Sequence, residues 1–223
     1  MTERTTGPAP EAGFLTATRV SYDAIAAAYA EQYAGVHDTE PLGLAMLDAF
    51  AALVRAAGGG PVVEAGSGPG EVTARLHAQG LDVHGVDLSP AMVARARRDH
   101  PHVRFEEGSM TALDAGDETL RGLVAWYSLI HIAPEAVPDT LGEFHRVLAP
   151  GGLLLLAFQV GDEPVRYTEA FGQEVALDFH RIRPERLERQ LHEAGFTVRA
   201  RMEREAHGAE TTPQAYLLAR KGE

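Results

Sequence analysis

The chain has 223 residues, 45% of them hydrophobic, enough for one full core and short for two independent ones, so a single domain with appendages is expected. Its formal net charge is -12, with 32 acidic residues spread along the chain, so the surface repels phosphate backbones and nucleic acid is not an expected partner. The absence of cysteine excludes disulfides, thiolate metal sites and a cysteine nucleophile. The first eleven residues hold no apolar run that would make a signal peptide, and no apolar stretch of about 18 residues occurs; a cytoplasmic location without membrane insertion is expected.

Residues 1–16 read as a disordered leader rich in Gly and Pro. From Ala17, the residues Val20, Tyr22, Ile25, Ala26, Tyr29 and Tyr33 recur at helical spacing and predict an amphipathic helix to Ala34. A second helix starts at Pro41, a residue suited to a first helical position, and runs until Gly58-Gly59-Gly60 stops it; residues 17–58 thus form a helical cap.

Short apolar runs then alternate with helical patterns, which predicts βαβ units around a parallel sheet. Strands are expected at Pro61–Ala65, Asp82–Asp87, Val103–Glu106, Gly122–Tyr127 and a central Gly152–Phe158, with helices at Glu71–Ala78, Pro90–Asp99 and Pro134–Leu148 between them. Residues 160–183 read as an irregular insertion. A helix at Pro184–Ala194 and an antiparallel pair, Phe196–Glu205 with Gln214–Lys221, complete the domain, 59–223. The fold class is therefore α/β: a Rossmann-like, doubly wound, mostly parallel seven-stranded sheet with an antiparallel C-terminal strand.

The most informative segment is Val62-Val63-Glu64-Ala65-Gly66-Ser67-Gly68-Pro69-Gly70, a buried strand entering a glycine-rich turn that opens a helix. Such a turn lets a ligand approach the backbone and meet unpaired helix N–H groups; a tight turn without ligand is the competing reading. Asp87 ends the next strand, where doubly wound folds hydrogen-bond ribose hydroxyls, although it also suits a helix-capping acid. A dinucleotide fingerprint would place its third glycine where Glu71 stands, and no Gly-Lys-Ser/Thr follows, so a nucleoside without phosphates is expected.

These segments resemble the first and second motifs of class I S-adenosylmethionine-dependent methyltransferases, the second being Val86-Asp87-Leu88-Ser89-Pro90-Ala91-Met92. Gly108-Ser109-Met110, Trp126-Tyr127-Ser128-Leu129-Ile130-His131 and Leu148-Ala149-Pro150-Gly151-Gly152 are similar to three further signatures, and the resemblance is closest to compact bacterial enzymes acting on small metabolites, including those of natural-product pathways. It implies S-adenosylmethionine as cofactor, S-adenosylhomocysteine as product, a small-molecule methyl acceptor, and a monomer or homodimer. By position it places Gly66, Ser67, Gly68 and Gly70 under the methionine and ribose, Glu64 near the methionine amine, Asp87 on the ribose, and Leu88 and Met92 near the adenine. Ser109 stands where many relatives have Asp, so Ser109 or Met110 must serve the adenine amino group. Trp126 and Tyr127 would floor the site, the insertion at 160–183 would form a substrate wall, and Tyr22 or Tyr29 of the N-terminal helix would cover the cofactor, unless these rings only bury apolar area.

A base for the acceptor proton is needed only if that proton is tightly held. His131, just past the fourth strand, is the first candidate and His180 the second. Tyr33, His37, Ser128, Arg166, Tyr167 and Phe179 are candidate substrate contacts, and no metal site is expected. Non-methylating chemistry on the same fold, such as a cyclase or decarboxylase, and a non-catalytic nucleoside-binding module are the alternative functions.

Overall fold

The computed structural model describes residues 13–33, 35 and 40–222. Its elements are α1 (Gly13–Tyr33), α2 (Pro41–Ala56), β1 (Pro61–Ala65), α3 (Glu71–Ala78), β2 (Asp82–Asp87), α4 (Pro90–Asp99), β3 (Arg104–Glu107), β4 (Leu120–Trp126), α5 (Val137–Val147), β5 (Leu148–Gln159), β6 (Val165–Ala170), β7 (Gln173–Phe179), α6 (Pro184–Glu193), β8 (Phe196–Arg204) and β9 (Gln214–Lys221). The seven-stranded sheet has the order β3-β2-β1-β4-β5-β9-β8, with β9 running antiparallel between β5 and β8. The order reverses between β1 and β4, which leaves a crevice at their carboxyl ends.

Strand periodicity divides the core in two. Leu154, Leu156 and Phe158 of β5 face α5 and α6, joining Leu141, Phe144, Leu187 and Leu191, whereas Leu153, Leu155 and Ala157 face α2 and α3, joining Leu47, Phe50 and Leu76. Each fully buried leucine or phenylalanine contributes about 1.5–3 kcal/mol. The only lysine of the chain, Lys221, is buried at the end of β9, where its ammonium donates to Glu118 at 3.0 Å and to the carbonyls of His145 (2.9 Å) and Leu148 (2.8 Å). All three donors are used, which fixes the antiparallel strand beside β5.

Several boundaries differ from those the sequence predicts: β5 begins at Leu148, four residues before Gly152, β4 begins at Leu120, two before Gly122, and other strand and helix ends move by one to three residues. Helix α1 begins at Gly13, four residues earlier than expected, because Leu15 reaches the core and extends the apolar face; residues 1–12 of the expected leader lie outside the described residues. α5 begins at Val137, preceded by a 3-10 turn at Leu129–His131. The insertion at 160–183 is not irregular: β6 and β7 form an antiparallel hairpin apart from the main sheet. Its turn, Phe171-Gly172, has φ of 54° and 72°, the pattern of a type I′ turn, without the Asn-Gly or Asp-Gly that signals one. A phenylalanine in that left-handed conformation costs about 1–2 kcal/mol.

Helix α1 lies across the crevice and is tied at both flanks. Asp23 accepts the Ser89 hydroxyl at 2.6 Å and the Ala91 N–H at 3.1 Å, so its carboxylate sits on the electropositive start of α4. On the other side, Ser21 Oγ accepts the Ala176 N–H of β7 at 2.8 Å while donating to the Ala17 carbonyl. Replacing Asp23 with alanine orphans two donors; we expect a loss of about 1–3 kcal/mol in urea unfolding and weaker hydrogen-exchange protection confined to α1. Unchanged protection of α1 would show that the helix is held by other contacts.

Candidate active site

The crevice widens into a cavity of about 900 Å³, bounded by the turn after β1, the ends of β2, β3 and β4, helix α1, the hairpin and the β8–β9 loop. Its volume is near the upper end of single-ligand pockets, leaving room for more than one small molecule.

The glycine turn forms one wall. Gly66 has φ of 78°, and a Cβ there would collide with Ser128, whose hydroxyl donates to the Ala65 carbonyl at 2.6 Å. Gly70 has φ of 92° and caps α3; a Cβ there would come 2.6 Å from the Phe105 ring. Gly70 thus packs beneath the turn and does not line the cavity, unlike Gly66, Ser67 and Gly68. The Gly68 N–H donates to Asp87 Oδ2 at 2.7 Å, and Asp87 Oδ1 accepts the Ser89 N–H at 2.9 Å. Burial pushes the Asp87 carboxyl above the usual carboxylate range against the pull of these two bonds, and the nearby Asp23 charge adds to the rise.

Glu64, buried beneath the turn, accepts the Thr73 hydroxyl. Burial raises its carboxyl to about 8, with Thr73 opposing and the Asp87 charge reinforcing the rise. The wall around the turn is therefore acidic, with Glu64, Glu71 and Asp87 on it, and the space over Gly68 is open, since a Cβ built there meets no atom within 4 Å.

Leu88 and Met92 line the cavity beside Asp87, and Ser109 and Met110 line it past β3. The Ser109 hydroxyl bonds to that of Thr111 at 2.7 Å and accepts the Thr111 N–H at 3.2 Å, so its own turn engages it. Trp126 and Tyr127 close the floor at the end of β4. Tyr127 has φ of 52°, a rare conformation for an aromatic residue, and its hydroxyl meets that of Tyr216 at 3.0 Å.

His131 lies in the 3-10 turn that follows, half-buried against Tyr22 of α1. Its Nδ1 faces the Asp178 carbonyl at 3.2 Å and its Nε2 faces the Tyr22 hydroxyl at 2.8 Å. Only a protonated Nδ1 can pair with a carbonyl, so in the neutral ring Nε2 accepts from Tyr22. Burial lowers the ring to about 4, the Asp178 carbonyl opposing and His180 adding to the fall. Tyr22 and Tyr29 are held as neutral phenols, pushed well above the ordinary tyrosine range by burial first, then by a neighbouring tyrosine and then by Asp87.

Tyr33, Tyr167 and Phe179 also line the cavity, and Ser128 sits at its floor. Two expected residues do not. His180 lines a separate small groove with Val137 and Arg186, and its backbone N–H donates to the Ile130 carbonyl at 2.7 Å. Arg166 lies outside the cavity, its side chain 68% exposed and paired with Asp178 at 2.8 Å. His37 lies outside the described residues.

Other cavity residues escape sequence reasoning. Arg204, 8% exposed, pairs with Glu210 and approaches Glu40 at 3.4 Å, and Tyr216 donates to Glu40 at 3.3 Å. This network fastens the start of α2 and the β8–β9 loop to the sheet, joining segments far apart in the chain. Glu40 carried a sequence signal, the residue before a helix-opening proline, and it does cap α2. Asp23, Arg204 and Glu210 carried none.

Among the described residues no helix is long and apolar enough to cross a membrane, and no group of three or more His, Asp or Glu is arranged to hold a metal ion.

Residues 62–152 match a family model described as a methyltransferase domain. The demethylmenaquinone methyltransferase of Chlorobaculum parvum is 33% identical over 92 residues, 41% of this chain and 37% of that protein. The chain thus spans about two fifths of the length of the curated relatives it matches first. Among solved structures, the magnesium protoporphyrin IX methyltransferase of Synechocystis, with bound S-adenosylmethionine, has a TM-score of 0.71 at 16% identity, covering 96% of this chain and 100% of that one. The 1,6-didemethyltoxoflavin-N1-methyltransferase of Burkholderia thailandensis, with bound S-adenosylhomocysteine, has a TM-score of 0.62 at 24% identity, covering 97% and 94%. Residues 62–152 are thus similar to a methyltransferase domain, and the chain shares its fold with these solved methyltransferases.

Proposed function

We propose that the protein transfers a methyl group from S-adenosylmethionine to an O, N or C atom of a small-molecule acceptor. The observation that carries this reading is the Gly68 N–H to Asp87 bond, which joins the glycine turn and the β2 carboxylate into one cradle. The acidity of that wall suits a nucleoside bearing positive charge and disfavours a pyrophosphate. In this reading Asp87 holds the ribose hydroxyls, Glu64 and the Gly66–Gly68 backbone border the methionine part, and Leu88, Met92 and Met110 pack the base.

The sulfonium supplies an electrophilic methyl group when the cofactor is bound, so the chain's own task is to orient an acceptor, exclude water and take its proton. Helix α1 supplies the roof. Tyr22 and His131 both line the cavity and meet through the Tyr22 hydroxyl and His131 Nε2, and we assign these two side chains to proton removal. The acceptor proton passes to the Tyr22 oxygen as the Tyr22 proton passes to His131 Nε2; Nδ1–H stays on the Asp178 carbonyl, which stabilises the imidazolium formed. His180, outside the cavity, has no part in this step.

Two measurements test the reading. Asp87→Ala is expected to weaken S-adenosylhomocysteine binding by at least about 1.5 kcal/mol, roughly tenfold, in calorimetric titration; unchanged affinity would remove Asp87 from the site.

With an acceptor found by screening phenols, carboxylates and amines for S-adenosylhomocysteine release, Tyr22→Phe and His131→Ala are each expected to lower kcat at least about a hundredfold. His131 is neutral and able to accept a proton above about pH 4, so the acid limb of kcat should fall near pH 4 and not near the ordinary histidine value. A limb between pH 6 and 7, or wild-type rates in both variants, would contradict the assignment.

A further inference from the structure

The hairpin carries a residue that the proton step does not use. Phe171 occupies the first central position of the β6–β7 turn with φ of 54°, a conformation that asparagine or aspartate adopts with less strain. Its ring is also 42% exposed, so the position combines backbone strain with an apolar surface left in water. Neither favours the fold, and a side chain kept under both conditions points to a use outside folding.

The ring lines the cavity where the hairpin packs against α1. It meets Tyr29 edge-on, with centroids 6.4 Å apart and planes at 73°. Tyr29 is tilted against Tyr33 at 4.6 Å, and Tyr33 is itself 40% exposed. Further along the hairpin, Tyr167 is 47% exposed and lies 5.2 Å from Phe179, whose ring is 4.7 Å from that of His131. Partly exposed rings therefore stand on both walls and lead inward to the Tyr22–His131 pair. Such rings favour a planar aromatic guest, which can stack on their faces or meet their edges, over an aliphatic one of similar size.

We propose that these walls clasp an aromatic methyl acceptor, and that Phe171 is a specificity-determining residue that holds its ring. The proposal rests on the methyl-transfer reading and adds the chemical class of acceptor to it.

The test uses the full chain saturated with S-adenosylhomocysteine, 2-naphthol as an aromatic probe, and 2-decalol as a probe with the same two-ring carbon skeleton but no aromatic face. We expect naphthol to bind at least tenfold more tightly than decalol. Phe171→Asn, which places the residue preferred by the turn, should weaken naphthol binding at least tenfold, keep S-adenosylhomocysteine affinity within twofold, and leave Tm unchanged or raised by up to about 2–4 °C. A structural ring would behave oppositely, lowering Tm. Equal binding of the two probes, no naphthol binding to the wild type, unaltered naphthol affinity in the variant, or a lowered Tm would each overturn the clamp. Wild-type protein that takes up no S-adenosylhomocysteine would overturn the methyl-transfer reading beneath it, an outcome separate from these.

Discussion

One carboxylate holds the centre of this molecule together. Asp87 accepts N–H groups from Gly68 and Ser89, so the turn leaving β1 and the start of α4 share a single anchor at the point where the strand order reverses. Ser89 passes the connection on through its hydroxyl to Asp23, and thereby to the helix that roofs the cavity. The arrangement places buried acidic groups at the open end of the sheet, an expense in desolvation that a folded scaffold alone does not require. Burial raises both Asp87 and Glu64, and a cation placed beside them would favour their ionised forms.

The cavity divides by chemistry. Around the glycine turn it is acidic and backbone-lined, suited to holding a nucleoside; between α1 and the hairpin it is lined by aromatic rings, with a neutral histidine at its inner end. The floor joins the two parts at Tyr127, whose left-handed backbone turns the chain from β4 into the 3-10 segment carrying His131. Of the three described non-glycine residues with a left-handed backbone, Tyr127 and Phe171 line this cavity, at its floor and at the hairpin tip, while Glu118 lies outside it.

Much of the architecture is legible in the chain itself, because buried parallel strands read as apolar runs and the turns between them carry glycine, proline and capping serine. β1, α3, β2 and α4 begin and end where their periodicity says they should. The glycine turn and Asp87 are legible for the same reason: their chemistry is local. The hairpin is not, since β6 is mostly exposed and polar and its turn lacks the usual Asn-Gly. Local sequence also gives no sign that His180 lies outside the cavity lining, or that the β6–β7 register sets Arg166 beside Asp178. Asp23 escapes detection because its partners stand 66 and 68 positions away.

The central claim is that the acidic cradle takes up a positively charged nucleoside. The most direct measurement is calorimetric titration of the protein with S-adenosylmethionine at pH 7 in two buffers of different ionisation enthalpy. The Glu64 carboxyl, pushed up to about 8 by burial, holds its proton at pH 7, and an arriving cation favours its ionised form. The account therefore predicts one-to-one uptake with release of a proton, the release disappearing in Glu64→Gln; a folded protein showing no uptake in either buffer would contradict it.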